Sequence, residues 1–111
     1  MTTHPQVTQV DTVAGELIDE ARGHGTRRAA RTLITGTMQR ATLIALADGA
    51  ELAEHDSPPA ATLYVVTGRV RLHTHDHAWT LERGQLARIP PDRHGLTALA
   101  DSAVLLTVAL H

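Results

Sequence analysis

The amino-acid sequence predicts an all-β barrel or two-sheet roll preceded by one short helix. Two observations carry this prediction. From Arg28 onward, short runs rich in Val, Leu, Ile and Thr recur at roughly eight- to twelve-residue intervals, punctuated by Gly, Pro and Asp, which is the rhythm of strands joined by turns. Before Gly23 the pattern is different: Val13, Ala14, Leu17, Ile18 and Ala21 follow helical spacing, and no such stripe recurs downstream.

The elements follow in order. Residues 1–10 are polar, carry Pro5 and show no periodicity, so they read as a frayed arm or an edge strand. The helix is expected from Val13 to Arg22, with Asp11 or Thr12 as its N-cap and Gly23 as its stop. Strands are expected at Arg28–Thr35, Gln39–Ala47, Glu51–His55, Thr62–Thr67, Arg69–His73, Ala78–Glu82, Leu86–Ile89, Gly95–Leu99 and Ala103–Leu110. In the fifth of these, Val70 and Leu72 alternate with Arg69, Arg71 and His73, so one face is buried and the other wet. Leu63-Tyr64-Val65-Val66 and Val104-Leu105-Leu106 are apolar throughout, which calls for a cover on the outer face of the sheet, either the helix or a second subunit. Tyr64 alternates outward from Leu63 and Val65 and suits an interface. The organisation is one domain: residues 1–38 supply the arm, helix and first strand, and residues 39–111 supply the barrel core.

Composition removes several function classes. The formal charge of −2 gives no basic field for nucleic acid. Without cysteine there is no disulfide, thiolate ligand or sulfur nucleophile. The start of the chain has no basic segment followed by an apolar one, and no apolar run is long enough to cross a bilayer, so a cytoplasmic protein with no membrane contact is expected. A domain this small gains stability by associating through an apolar face, and a homodimer is the default expectation.

Eight histidines invite a metal reading, since imidazole is the commonest metal ligand. His4, His24 and His111 lie at ends or in a Gly-flanked loop and read as exposed polar residues. His73, His75 and His77 alternate and could chelate as a strand, but Thr74-His75-Asp76-His77 has the length and polarity of a hairpin turn, which is the favoured reading. Arg27, Arg28 and Arg31 are the one basic cluster and read as solvent-facing. His55 and His94 remain, each at the edge of a predicted strand.

Around these two the sequence resembles the cupin superfamily. Gly49, five residues on to His55, then Ser57 and Gly68, is similar to the first cupin motif; Gly84, five residues on to Pro90, then Pro91-Asp92-Arg93-His94, is similar to the second. The resemblance covers about residues 39–110 and implies a cupin-type barrel, the double-stranded β-helix or jelly roll, of the small single-domain type. It also implies a divalent metal inside the barrel (Fe, Mn, Ni, Zn or Cu) held by two His and a Glu of the first motif and one His of the second. His55 and His94 occupy two of those places as metal ligands and catalytic candidates. Ser57 stands for the second His and Ala61 for the Glu, Asp92 replaces a turn Gly, and His94 comes one residue early. Ser57 and Arg93 are left as substrate-binding candidates, Arg93 as a bidentate partner for a carboxylate. Glu51 is expected on the same strand face as His55 but too far along it to share an ion.

Two functions follow. One is a metal-dependent cupin enzyme of the oxygenase, isomerase or lyase class using His55 and His94. The alternative is a metal-free cupin that binds a small molecule as a sensor or accessory protein, with acid–base catalysis by either His as a further variant.

Overall fold

In the computed structural model, residues 6–55 and 60–110 are described, with His55 described by its backbone alone. The helical stripe forms α1 (Val10–Gly23) and buries Ala14, Leu17, Ile18 and Ala21. It begins earlier than expected. The N-cap is Gln9, which makes no side-chain cap; its carbonyl accepts the Val13 N–H at 3.1 Å, and Asp11 falls inside the first turn, where a carboxylate suits the helix dipole. Gly23 is the last helical residue, and His24 leaves in an extended conformation.

Among the described residues nine strands follow: β1 (Arg28–Thr35), β2 (Gln39–Leu46), β3 (Glu51–His55), β4 (Ala60–Thr67), β5 (Arg69–Thr74), β6 (Ala78–Glu82), β7 (Leu86–Arg88), β8 (His94–Ala98) and β9 (Ser102–Ala109). They form a five-stranded sheet ordered β1-β2-β9-β4-β7 and a four-stranded sheet ordered β3-β8-β5-β6, with every pairing antiparallel. The expected two-sheet roll is what forms, because each strand alternates one apolar face toward the space between the sheets.

That space holds the larger core. Leu46, Leu63, Val65 and Val104 from the first sheet meet Val70, Leu72, Leu96 and Ala98 from the second. A second cluster lies outside the roll, where α1 covers Leu43, Ala45, Val66 and Ala103 on the outer face of the five-stranded sheet. The helix therefore supplies part of the cover that the all-apolar runs required. Val65 and Val66 alternate to opposite faces of β4 and are both buried, Val65 in the interior core and Val66 under α1.

One turn locks the two sheets together. Gly68, at φ +89°, joins β4 to β5 against the start of β9. Ser102, fully buried, accepts the Arg69 N–H at 2.9 Å, with its hydroxyl against the carbonyls of Ala100 (2.8 Å) and Arg69 (3.1 Å).

The helix is tied down by Asp101, which accepts the Asp48 N–H at 2.8 Å and Arg22 Nε at 2.7 Å. The Asp48 hydrogen bond and then Arg22 hold the Asp101 carboxyl below its usual range. A depressed carboxyl pKa stabilises the fold above the unfolded-state value, and that stabilisation is lost as pH falls through the folded-state value. Urea unfolding should therefore show wild-type stability declining from about pH 5 downward, and Asp101→Asn should lose part of that decline while being less stable at pH 7. An unchanged acid slope in the variant would contradict the assignment.

The basic cluster is used internally as much as toward solvent. Arg27, at φ 62°, and Arg28 donate to backbone carbonyls, Arg28 Nη1 to Glu51 O at 3.0 Å across the open edge between β1 and β3. Among the described residues, no helix is long and apolar enough to cross a membrane.

Candidate functional site

His94 opens β8 and lies in register between His55 on β3 and Thr74 on β5. The two histidines selected from sequence are thus direct cross-strand neighbours in the backbone register. The register explains why Glu51 behaves otherwise than expected. Pairing shifts between Leu52 and His55, so Glu51 sits opposite Thr97 whereas His55 sits opposite His94, and the simple alternation that put them on one face is broken.

The His94 side chain is 5% exposed, which makes it, with Ser102, one of two buried polar side chains among the described residues. Its Nδ1 lies 3.1 Å from the Asp92 carbonyl. A carbonyl can only accept, so the bond is made by a proton on Nδ1. The Pro90-Pro91-Asp92-Arg93 bend delivers that carbonyl.

His94 is the polar member of a cavity wall otherwise made of Ile44, Leu52, Leu63, Leu72, Ile89, Leu96 and Leu106. The cavity measures about 30 Å³. It has room for only one or two waters, well short of the ~300 Å³ at which drug-sized pockets begin. Three of its walls, Ile44, Leu52 and Leu106, are only partly buried, so the aliphatic lining is not locked on every side.

The other candidates are distributed around this point. Ala61, where the cupin motif has its Glu, is buried within the interior cluster and offers no donor. Ser57 lies outside the described residues. Arg93 points away from the cavity, donating from Nη2 to the Glu54 carbonyl at 3.1 Å, and shares a separate cleft of about 200 Å³ with Glu54, Asp76 and Asp92.

The expected divalent metal does not survive. Among the described residues no group of three or more His, Asp or Glu side chains is disposed to hold an ion. The chemical reason is the one visible in the motif: a metal centre needs about three protein donors, and the position that should supply the carboxylate holds the methyl group of Ala61. Fe, Mn, Ni, Zn and Cu are accordingly withdrawn as cofactors.

Comparison with solved structures decides the fold. A cupin superfamily protein from Desulfitobacterium hafniense superposes with a TM-score of 0.73 at 14% identity, over 86% of this chain and 88% of the other. A cupin-2 domain protein from Shewanella frigidimarina gives 0.73 at 15% identity, covering 94% and 95%. The chain has a cupin fold. A conserved protein of unknown function from Streptococcus pyogenes is also similar, with a TM-score of 0.70 at 24% identity over 78% and 76% of the two chains. No protein-family model and no curated protein matches the sequence.

On the outer face of the four-stranded sheet, one residue differs from its sequence reading. His73 continues the face of Arg69 and Arg71 as expected, but it is half-buried: its ring lies over Gly95, with Nε2 3.4 Å from Thr97 Oγ1 and Nδ1 3.9 Å from Glu54 Oε2. A Cβ at Gly95 would come within 2.7 Å of that ring and 3.0 Å of the Leu52 carbonyl. The available signal was the Gly itself, since glycine inside a strand marks a close approach. The Thr74–His77 segment is the expected hairpin turn, closed by Thr74 N–H to His77 O at 2.8 Å, with His77 stacked on Trp79.

Proposed function

We propose that this cupin-fold protein binds a small organic molecule at the His94 end of its barrel without a metal, as a sensor or accessory subunit working as a pair of identical chains. The observation that supports this is buried His94, its Nδ1 bonded to the Asp92 carbonyl, in an otherwise aliphatic wall. Such a wall favours an apolar body, and an imidazole within it favours a ligand that carries a single polar group. Because the cavity is small, binding must displace partly buried side chains such as Leu52 and Leu106, which keeps the ligand small and couples occupancy to barrel shape.

The test is a fragment screen by thermal shift on untagged protein, using small neutral alcohols and amides. Binders at about 100 times their Kd should stabilise the fold by about 2.7 kcal/mol. The stabilisation should vanish in His94→Leu, and the Leu and Ile methyl resonances of the cavity wall should move on binding. Equal stabilisation of His94→Leu, or binding that leaves those methyl resonances in place, overturns the proposal.

A further inference from the structure

We infer that Trp79, backed by His77, extends the site beside His94 and selects ligands that carry an aromatic ring. This rests on the small-molecule reading above and names the class of molecule within it.

Register places the pair on the barrel side of its sheet. Leu52 on β3 pairs with Leu96 on β8, Leu96 with Leu72 on β5, and Leu72 with Trp79 on β6. Residues directly opposite in antiparallel strands point to one face, so these four form a single inward row. The first three line the same cavity as His94. Trp79, the one tryptophan of the chain, ends the row on β6, the edge strand of the sheet. The neighbouring row runs from His94 on β8 to Thr74 on β5 and, through the Thr74 N–H bond to His77 O at 2.8 Å, to His77. His94, His77 and Trp79 therefore stand on the same side of the sheet, on adjacent rows.

Burial falls away toward Trp79. Leu72 is 2% exposed, Leu96 4% and Leu81, two residues farther along β6, 9%, whereas Trp79 is 43% exposed. The largest apolar side chain of the protein thus stands half in water where the packed interior ends. The turn beside it does not need the ring. Thr74 holds the Thr74–His77 bend, its Oγ1 accepting the Asp76 N–H at 3.3 Å and the His77 N–H at 3.1 Å. What the ring has instead is support: its plane lies 14° from that of His77, with centroids 5.8 Å apart, an offset stack. A side chain already held by a neighbour has less freedom to lose when a ligand settles on it.

These features define the ligand. An indole face attracts another flat ring by stacking, an attraction that a saturated ring of similar size lacks. All four members of the row are uncharged, which suits an uncharged ring. Two strand spacings of ~4.8 Å and one step of ~6.6 Å along the strands set Trp79 about 12 Å from His94 across the sheet. A molecule that touches both is a ring with a short arm ending in its one polar group.

The lone tryptophan is the reporter. The probes are phenethyl alcohol and cyclohexylethyl alcohol, alike in arm and hydroxyl and different in the ring alone. Titrated into untagged protein, phenethyl alcohol should change Trp79 emission saturably and bind about two- to tenfold more tightly than its saturated counterpart. In the variants, cavity-wall methyl resonances read both alcohols. Trp79→Leu should abolish the preference while leaving cyclohexylethyl alcohol binding nearly unchanged, and Trp79→Phe, which keeps a ring, should retain most of it. Equal affinity of the two alcohols for wild-type protein, or a preference that survives Trp79→Leu, overturns this inference and leaves the small-molecule reading standing. Failure of both alcohols to bind overturns it as well, and the broader alcohol and amide screen then decides the reading beneath it.

Discussion

Gly68→Ala is expected to cost about 3–5 kcal/mol, a large share of the about 5–15 kcal/mol by which a domain of this kind is stable. Two effects add at this position. The backbone sits at φ +89°, where an L side chain is strained by about 1 kcal/mol or more. A Cβ there would also overlap Ser102 Oγ and come within 2.5 Å of the Asp101 carbonyl, and these are backbone and fully buried atoms with nowhere to go. The shift would pull Ser102 from the Arg69 N–H and disturb the neighbouring Asp101 that anchors α1. Gly49→Ala separates the two effects. Gly49 has nearly the same dihedral, φ +84°, but nothing within 4 Å of the added carbon, so it should lose only about 1 kcal/mol. Urea denaturation of both variants measures the difference, and equal losses would refute the steric account.

Leu96→Ala should lose about 2–5 kcal/mol and at the same time enlarge the barrel interior. Leu96 is 4% exposed and forms cavity wall beside His94. Removing most of its side chain should open a void on the order of 100 Å³, the size at which apolar cavities accept small hydrophobic guests. The stability loss should therefore be partly restored by saturating small alcohols, more so than in Leu43→Ala, which lies under the helix and away from His94. Equal response of the two variants would show that the barrel interior has no special affinity for such molecules.

Much of the fold was legible because turns and strands here are marked by residues with strong local preferences. Gly68 and Gly84 punctuate β4, β5 and β7, and the alternation of Val70 and Leu72 with Arg69 and Arg71 is retained face by face. What escaped depended on backbone or on distant partners. The helix starts at Val10 after Gln9, an N-cap that makes no side-chain hydrogen bond, so no Ser, Thr, Asp or Asn marks its start. The shift between Leu52 and His55 falls at Ala53-Glu54, with no Gly or Pro to announce it, so Glu51 was placed on the wrong face. His94 could be picked out by its spacing from Gly84. The near closure of the cavity beside it could not, because it depends on where aliphatic side chains from both sheets come together. The metal expectation came from the fold resemblance alone, and the missing donor at Ala61 was already the reason to doubt it.

The central claim is that a small organic ligand, and not a metal ion, belongs beside His94. A crystal structure of the untagged protein with a bound fragment tests this most directly. The account predicts an organic molecule inside the barrel, with a polar group at about 3 Å from the His94 imidazole and with Leu52 or Leu106 displaced to admit it. A spherical ion at about 2.1 Å from an imidazole nitrogen, or a ligand bound only outside an unchanged barrel, would contradict it.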